Sequence, residues 1–91
     1  MKIYTVTVDY LHGGDTKGVE VIGVYRHFED AEKKMRQLAD ETRHCYKANL
    51  GLTDDEIDSS SCLDKPNCFV HLASKADETY DFINITESKL Q

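Results

Sequence analysis

The sequence lacks any long apolar run, and its 91 residues include only three cysteines and one proline. No stretch approaches the roughly 18 uninterrupted apolar residues of a membrane-spanning helix, so no membrane span is predicted. Residues 1–5 also lack the apolar core of a signal peptide. An odd cysteine count without an export signal argues against a disulfide framework. We therefore expect a cytoplasmic protein that does not associate with membranes.

Basic residues are also in short supply, with 11 lysines and arginines against 17 acids and a net charge of −6. The deficit lies entirely beyond residue 53. Residues 1–53 hold eight acids and eight bases, whereas residues 54–91 hold nine acids and three bases. An acidic surface repels nucleic-acid phosphates and attracts basic groups. Direct nucleic-acid binding is therefore not expected, and the expected partner is a protein with a basic surface.

The remaining composition is typical of a globular domain, with 40% hydrophobic and 31% charged residues. Such a chain is too apolar for a disordered protein. A chain of this length builds one hydrophobic core. We therefore expect residues 1–91 to form a single α+β domain.

Alternation of apolar and polar residues predicts four strands, over residues 3–11, 19–26, 69–74 and 80–86. A glycine-rich turn joins the first two strands into an antiparallel hairpin. Apolar residues at three- and four-residue spacing predict one helix over residues 28–49. The predicted fold class is α+β: a four-stranded antiparallel sheet (β-β-α-β-β) with one long helix packed on one face. Periodicity leaves the strand order open.

The second predicted strand carries apolar residues on both of its faces. Alternation places one group of residues on a common face: Val19, Val21, Gly23 and Tyr25. Ile22 and Val24 then lie on the other face, so we expect this strand to be covered in part on both sides. In the first strand, alternation predicts that Thr5, Thr7 and Asp9 face water.

The acidic residues are densest just after the predicted helix. This acidic segment comprises Asp54, Asp55, Glu56, Asp58 and Asp64. Thr53 followed three residues later by Glu56 matches a capping box, which predicts a short helical turn there. We interpret the acidic segment as the binding site for the basic partner. The alternative is a charge run that only faces water.

A group of cysteine and histidine residues is the second candidate site. Cys62, Cys68 and His71 fall within one stretch, and sulfur and imidazole ligands suit zinc. Their spacing lacks the paired C-x2-C pattern of strong zinc sites, and alternation also suits a histidine within the sheet. A metal- or small-ligand-binding regulator is therefore the alternative function. No cofactor is expected for the leading function.

No pattern of catalytic residues emerges from the sequence. The serine run at residues 59–61 lacks the G-x-S-x-G turn of serine hydrolases. His44 and Cys45 are neighbours on the predicted helix, where adjacent side chains point about 100° apart. The glycine-rich turn at residues 12–18 lacks the Walker spacing and joins two strands. We therefore expect a binding protein and not an enzyme.

The joint between the second strand and the helix carries the pattern Ile22-Gly23-Val24-Tyr25 followed by residues 29–33, Glu-Asp-Ala-Glu-Lys. Over about residues 3–40, the chain resembles short uncharacterised α+β proteins of bacterial, phage and prophage genomes. The resemblance implies a small α+β protein from a mobile element and carries no catalytic residues. In that setting, the resemblance implies an inhibitor or regulator, and the acidic charge of the chain adds the expectation that it acts on a basic protein surface. An exposed sheet edge also makes a homodimer an expectation.

Overall fold

The structure, a computed structural model, describes residues 1–62 and 68–89. Within them, five antiparallel strands form one sheet in the order β2-β1-β5-β4-β3, and one helix packs against the sheet. The elements have the bounds β1 Lys2–His12, β2 Thr16–Tyr25, α1 Phe28–Leu50, β3 Asp58–Cys62, β4 Phe69–Ser74 and β5 Thr79–Lys89. A short 3-10 turn, Asp54–Glu56, precedes β3 and confirms the predicted capping box around Thr53.

The predicted four-stranded sheet is wrong, because β3 forms a fifth strand at one edge. The residues of β3 are polar and show no apolar alternation, so periodicity predicts no strand over them. Ile57, immediately before β3, is buried with Tyr46 and Leu72. This anchor places the following residues beside β4, where backbone hydrogen bonds complete the pairing. Long-range anchoring, and not side-chain pattern, therefore forms this strand.

The predicted helix is confirmed, and one apolar stripe of α1 covers the central strands. The core cluster under α1 contains Val6, Phe28, Ala31, Met35, Cys68, Ile83 and Ile85. Tyr46 is buried near the helix end, whereas Cys45 and Asn49, which also fit the predicted spacing, are exposed. A strict seven-residue spacing drifts by about 20° per heptad around a helix of 3.6 residues per turn. The stripe therefore passes from Met35 to Tyr46.

A β-bulge interrupts β2, and the alternation of its side chains between the two faces of the sheet changes phase at the bulge. Neighbouring residues of β1 pair with Val21 and Gly23, which leaves Ile22 as the extra residue. One extra residue exchanges the faces on either side of the bulge. Ile22 and Tyr25 therefore pack against the core, while Val21 and Val19 lie on the opposite face. The common face predicted for Val19, Val21, Gly23 and Tyr25 is not formed.

Gly51 ends α1 in the left-handed conformation, with a φ of 66°, and its N–H donates to the Tyr46 carbonyl oxygen. A Cβ at this position would meet nothing within 4 Å. We therefore expect Gly51→Ala to lower the free energy of unfolding by about 1 kcal/mol through backbone strain alone. Urea denaturation measures the change. Gly51→Asn should lower the free energy of unfolding by less than Gly51→Ala does, because asparagine tolerates the left-handed conformation better. Equal losses of stability in the two variants would contradict backbone strain as the cause.

Candidate functional site

The face of the sheet opposite α1 is not covered by any element of residues 1–62 or 68–89, and we call it the open face. Strand pairing places these side chains on it: Thr5, Thr7 and Asp9 of β1, Val19, Val21 and Val24 of β2, Phe69 and His71 of β4, and Tyr80, Phe82 and Asn84 of β5. The first strand thus shows its threonines and Asp9 on the side away from α1, as predicted. The open face carries more apolar surface than that prediction implied.

Three valines of β2 expose most of their surface on the open face. Val19, Val21 and Val24 are 69%, 63% and 58% exposed. The bulge in β2 brings all three to this side, because the residues between Val21 and Val24 include the extra one. The partial cover predicted for both sides of this strand is therefore wrong on the open side. Exposed valines in one group form an apolar patch at this edge of the sheet.

Aromatic rings occupy the other half of the open face. Phe69 and Phe82 stack with their ring centroids 5.2 Å apart and an angle of 28° between the ring planes. The His71 ring lies 6.0 Å from Phe82 and 5.9 Å from Tyr80. The β4–β5 register places these residues on neighbouring strands with the same facing. Four rings therefore form one aromatic cluster, which the sequence did not reveal because the strand pairing was unknown.

A concavity of about 640 Å³ joins the aromatic cluster to β2. Asp9 lies within it, between Val19 on one side and Phe82 on the other. Lys17 also lines the concavity. Among the described residues, however, no basic side chain lies within 4.0 Å of the Asp9 carboxylate. The concavity therefore combines aromatic walls with a carboxylate that is not in an ion pair.

The structure divides the predicted acidic segment. Asp54 forms ion pairs with Lys47 at 2.7 Å and Arg43 at 3.4 Å, so the helix neutralises it. Glu56 accepts the backbone N–H of Thr53 in the capping box. The remaining predicted residues differ in position: Asp55 is exposed in the 3-10 turn, Asp58 begins β3, and Asp64 lies outside the described residues. Only part of the segment therefore presents carboxylates that are not already engaged.

The ion pairs of Asp54 predict a change in its pKa when one of the paired bases is removed. The hydrogen bond from Lys47, with the nearby charges of Lys47 and Arg43, holds the pKa of the Asp54 carboxyl below its ordinary value of 3.8. We expect Lys47→Gln to raise this pKa towards the ordinary value. A titration followed by NMR of the side-chain carboxyl carbon measures it. An Asp54 pKa that is unchanged in the variant would contradict the ion pair, and Lys33→Gln serves as the control for loss of one distant base.

The structure does not bring the predicted cysteine and histidine ligands into one site. Cys68 is buried in the core under α1, whereas His71 lies among the rings of the open face. Cys62 ends β3, opposite Phe69. Within residues 1–62 and 68–89, no group of three or more histidine, cysteine, aspartate or glutamate side chains could hold a metal ion. The zinc hypothesis therefore gains no support from the geometry.

A buried hydrogen-bond network joins the C-terminal part of α1 to β5, and sequence reasoning did not find it. The Tyr46 hydroxyl donates to the Asp81 carboxylate at 2.7 Å, and the Leu72 carbonyl oxygen lies 3.2 Å from the same hydroxyl. His12 Nε2 lies 3.1 Å from the other Asp81 oxygen. Burial is the main cause that raises the pKa of Tyr46, and the hydrogen bond to Asp81 raises it further. Because these polar groups satisfy one another, the network fastens the helix to the sheet.

Within the described residues, the helix and the sheet form two layers of an α+β protein, and no described element covers the open face. The chain belongs to the family described as Domain of unknown function (DUF7336), whose model matches residues 1–61. The match includes β1, β2 and α1, so the exposed valines lie within it and the aromatic cluster lies beyond it. No curated protein and no solved structure matches the chain. No helix in the described part of the chain is long and apolar enough to cross a membrane.

Proposed function

We propose that this protein is a small protein-docking module, not an enzyme, and that the open face is its docking surface. One observation carries the proposal: three valines that are 58–69% exposed share a sheet face with a cluster of aromatic rings. Large contiguous apolar patches on small proteins mark interaction sites, because leaving them in water is unfavourable. Aromatic side chains are also enriched at the centres of protein interfaces.

The charge distribution supports a partner with basic groups. Asp9 lies inside the open face, and the exposed Asp58 begins the strand at the edge of the sheet. Carboxylates at the rim of an apolar patch attract basic partners over a Debye length of about 8–10 Å and raise the association rate. Asp58 thus contributes a carboxylate at the rim of the open face, and the apolar part of the face supplies the contact. An inhibitor or regulator from a mobile element, which the sequence resemblance implies, would act in this way.

Site-specific photo-crosslinking tests the docking surface in cells that naturally make the protein. We expect a photo-reactive residue at Val21 or Val24 to give one discrete adduct, and the same residue at the exposed Lys33 of α1 to give none. Val21→Asp should abolish the adduct formed from Val24, while circular dichroism shows an unchanged fold. Adducts that form as readily from Lys33 as from Val21 and Val24 would exclude the open face as the docking surface. The absence of any adduct would exclude it as well.

The acidic segment is tested in the same assay. A variant with Asp55→Asn and Asp58→Asn, which leaves the ion pairs of Asp54 and the capping box of Glu56 intact, should give less adduct at low salt than the unmodified protein. The effect should shrink as salt rises, because counter-ions screen exposed charges. Undiminished adduct formation at low salt would remove the acidic segment from the proposal and leave the apolar face.

A second copy of the chain is the competing occupant. β2 and β3 are the two edges of the sheet, so pairing between copies through an edge stays a prediction. Light scattering after size exclusion would show twice the 10.4 kDa mass of one chain if the protein pairs with itself. A crosslinked product consisting only of two copies would contradict docking onto a different protein. A cytoplasmic location, which suits the exposed thiol of Cys45, is likewise a proposal that cell fractionation tests.

A further inference from the structure

The concavity on the open face has two properties that point to one kind of side chain. Its walls are aromatic, since Phe82, His71 and Tyr80 line it, and Asp9 places a carboxylate beside Phe82. A purely apolar anchor would leave this carboxylate without a partner as water is expelled, which is unfavourable. A phosphate or carboxylate anchor would be repelled by it. The favoured anchor is therefore a cation with a face that can stack.

We infer that the concavity binds an arginine side chain of the partner protein, an inference that rests on the proposed function and names the chemistry of its partner. A guanidinium group is planar and weakly hydrated, so it can stack on the rings of Phe82 or Tyr80. Its parallel N–H groups can donate two hydrogen bonds to the Asp9 carboxylate. The ammonium group of a lysine pairs with a carboxylate but lacks the planar face. Arginine thus satisfies the aromatic and the acidic parts of the concavity together.

Lys17 provides a second test, because its charge should affect arginine binding in the opposite direction to the charge of Asp9. It lines the same concavity, yet it does not form an ion pair with Asp9. An arginine that enters must therefore approach a like charge, and removal of the Lys17 charge should strengthen binding. Removal of the Asp9 charge should weaken it. Opposite effects from two neighbouring residues cannot arise from a general loss of structure.

The volume of the concavity, about 640 Å³, exceeds that of one side chain. The remainder accommodates the residues that flank the arginine, against Val19 on one side and the rings on the other. Binding of a short peptide should therefore exceed that of the isolated amino acid. The probe we choose is an N-acetylated, C-amidated pentapeptide Gly-Leu-Arg-Leu-Gly, with matched peptides that carry lysine or citrulline at the centre. Citrulline keeps the shape of arginine and removes its charge.

Titration of the isotope-labelled protein with these peptides, followed by amide NMR, tests the inference. We expect the arginine peptide to bind with a Kd of about 1 mM or lower and to shift the amides around Asp9, Phe82 and His71. The lysine and citrulline peptides should bind at least about threefold more weakly. Asp9→Asn should weaken arginine binding about tenfold, as for loss of a charged hydrogen-bond partner. Lys17→Gln should strengthen it about twofold, as for an exposed charge pair.

Asp40→Asn provides the matched control, because it removes the same charge from the exposed surface of α1 and should leave arginine binding unchanged. Equal weakening by Asp9→Asn and Asp40→Asn would show a net-charge effect and overturn the inference. Equal binding of the arginine and citrulline peptides would also overturn it. So would a ten-nucleotide oligothymidylate that shifts the same amides more strongly than the arginine peptide, because the rings would then stack on bases.

The peptide titration and the crosslinking experiment can fail independently. A crosslinked partner together with no arginine binding would keep the docking function and remove the arginine anchor. Arginine binding at Asp9 without any open-face adduct in cells would keep the concavity as an arginine site and remove protein docking as its use. The two results together therefore separate the site's chemistry from its biological role.

Discussion

Met35→Ala should lower the free energy of unfolding by about 2–5 kcal/mol, the range for truncation of a buried aliphatic side chain. Met35 is completely buried and belongs to the core cluster between α1 and the central strands. Removing its side chain takes away apolar contacts and leaves a cavity that the rigid sheet cannot close. A domain of 91 residues has a free energy of unfolding of about 5–14 kcal/mol. This single substitution therefore removes a large share of that stability. Urea denaturation and thermal melting measure it.

Met35→Leu is the matched control for this prediction. It conserves volume and polarity, so it should lower the free energy of unfolding by less than about 1.5 kcal/mol. Lys33→Ala, on the exposed side of the same helix, should change it by at most about 0.5 kcal/mol. A Met35→Ala loss as small as that of Lys33→Ala would contradict the packing of this helix face against the sheet.

Tyr46→Phe should lower the free energy of unfolding at pH 7 by about 1–3 kcal/mol, because the buried Asp81 carboxylate loses the hydrogen bond from the Tyr46 hydroxyl and keeps only its contact with His12. The Tyr46 hydroxyl lies 2.7 Å from Asp81, which is 7% exposed. The substitution leaves the ring in place, so apolar packing against Ile57 and Leu72 is retained. The loss therefore reports the hydrogen bond and not a cavity. Denaturation in urea at constant ionic strength measures it.

The same hydroxyl predicts how stability changes in alkali. Burial and the hydrogen bond to Asp81 raise the pKa of Tyr46 above its ordinary value of 10.0. Since the folded state holds this proton more tightly than the unfolded state, the stabilisation is complete below pH 10 and falls as the pH rises above it. The slope is about 1.4 kcal/mol per pH unit. Tyr46→Phe lacks this group, so the difference in stability between the two proteins should narrow above pH 10.

A constant difference between the two proteins from pH 8 to pH 11 would contradict this linkage. Lys2, whose pKa is raised chiefly by its hydrogen bond to Glu87, is present in both proteins. Its contribution therefore cancels in the difference. The narrowing can then be assigned to Tyr46, which keeps the test independent of the exposed ion pairs.

Interactions between residues that are close in sequence are sufficient to predict α1 and both of its ends. Acids at Glu29 and Asp30 occupy its first turn, and Gly51 closes it in the left-handed conformation. The capping box from Thr53 to Glu56 also formed as predicted. These features depend on side chains within one or two turns of each other. Their energies are local, so a single sequence contains the information needed to predict them.

The candidate site could not be predicted in the same way. Val19 and Val21 reach the open face because of a bulge whose extra residue is Ile22, and alternation alone assumes that no residue is extra. Phe69 and Phe82 stack because β4 and β5 pair in one particular register. Bulges and registers depend on hydrogen bonds between distant segments, which periodicity does not report.

By itself, the sequence determined the α+β class, the position of α1 and the concentration of negative charge beyond residue 53. Only the tertiary structure decided the fifth strand, the strand order and the side of the sheet on which the valines lie. It also placed Asp9 beside Phe82, a residue far along the chain. The physical reason is that composition and local propensity act along the chain, whereas a docking surface is made by side chains that only strand pairing brings together.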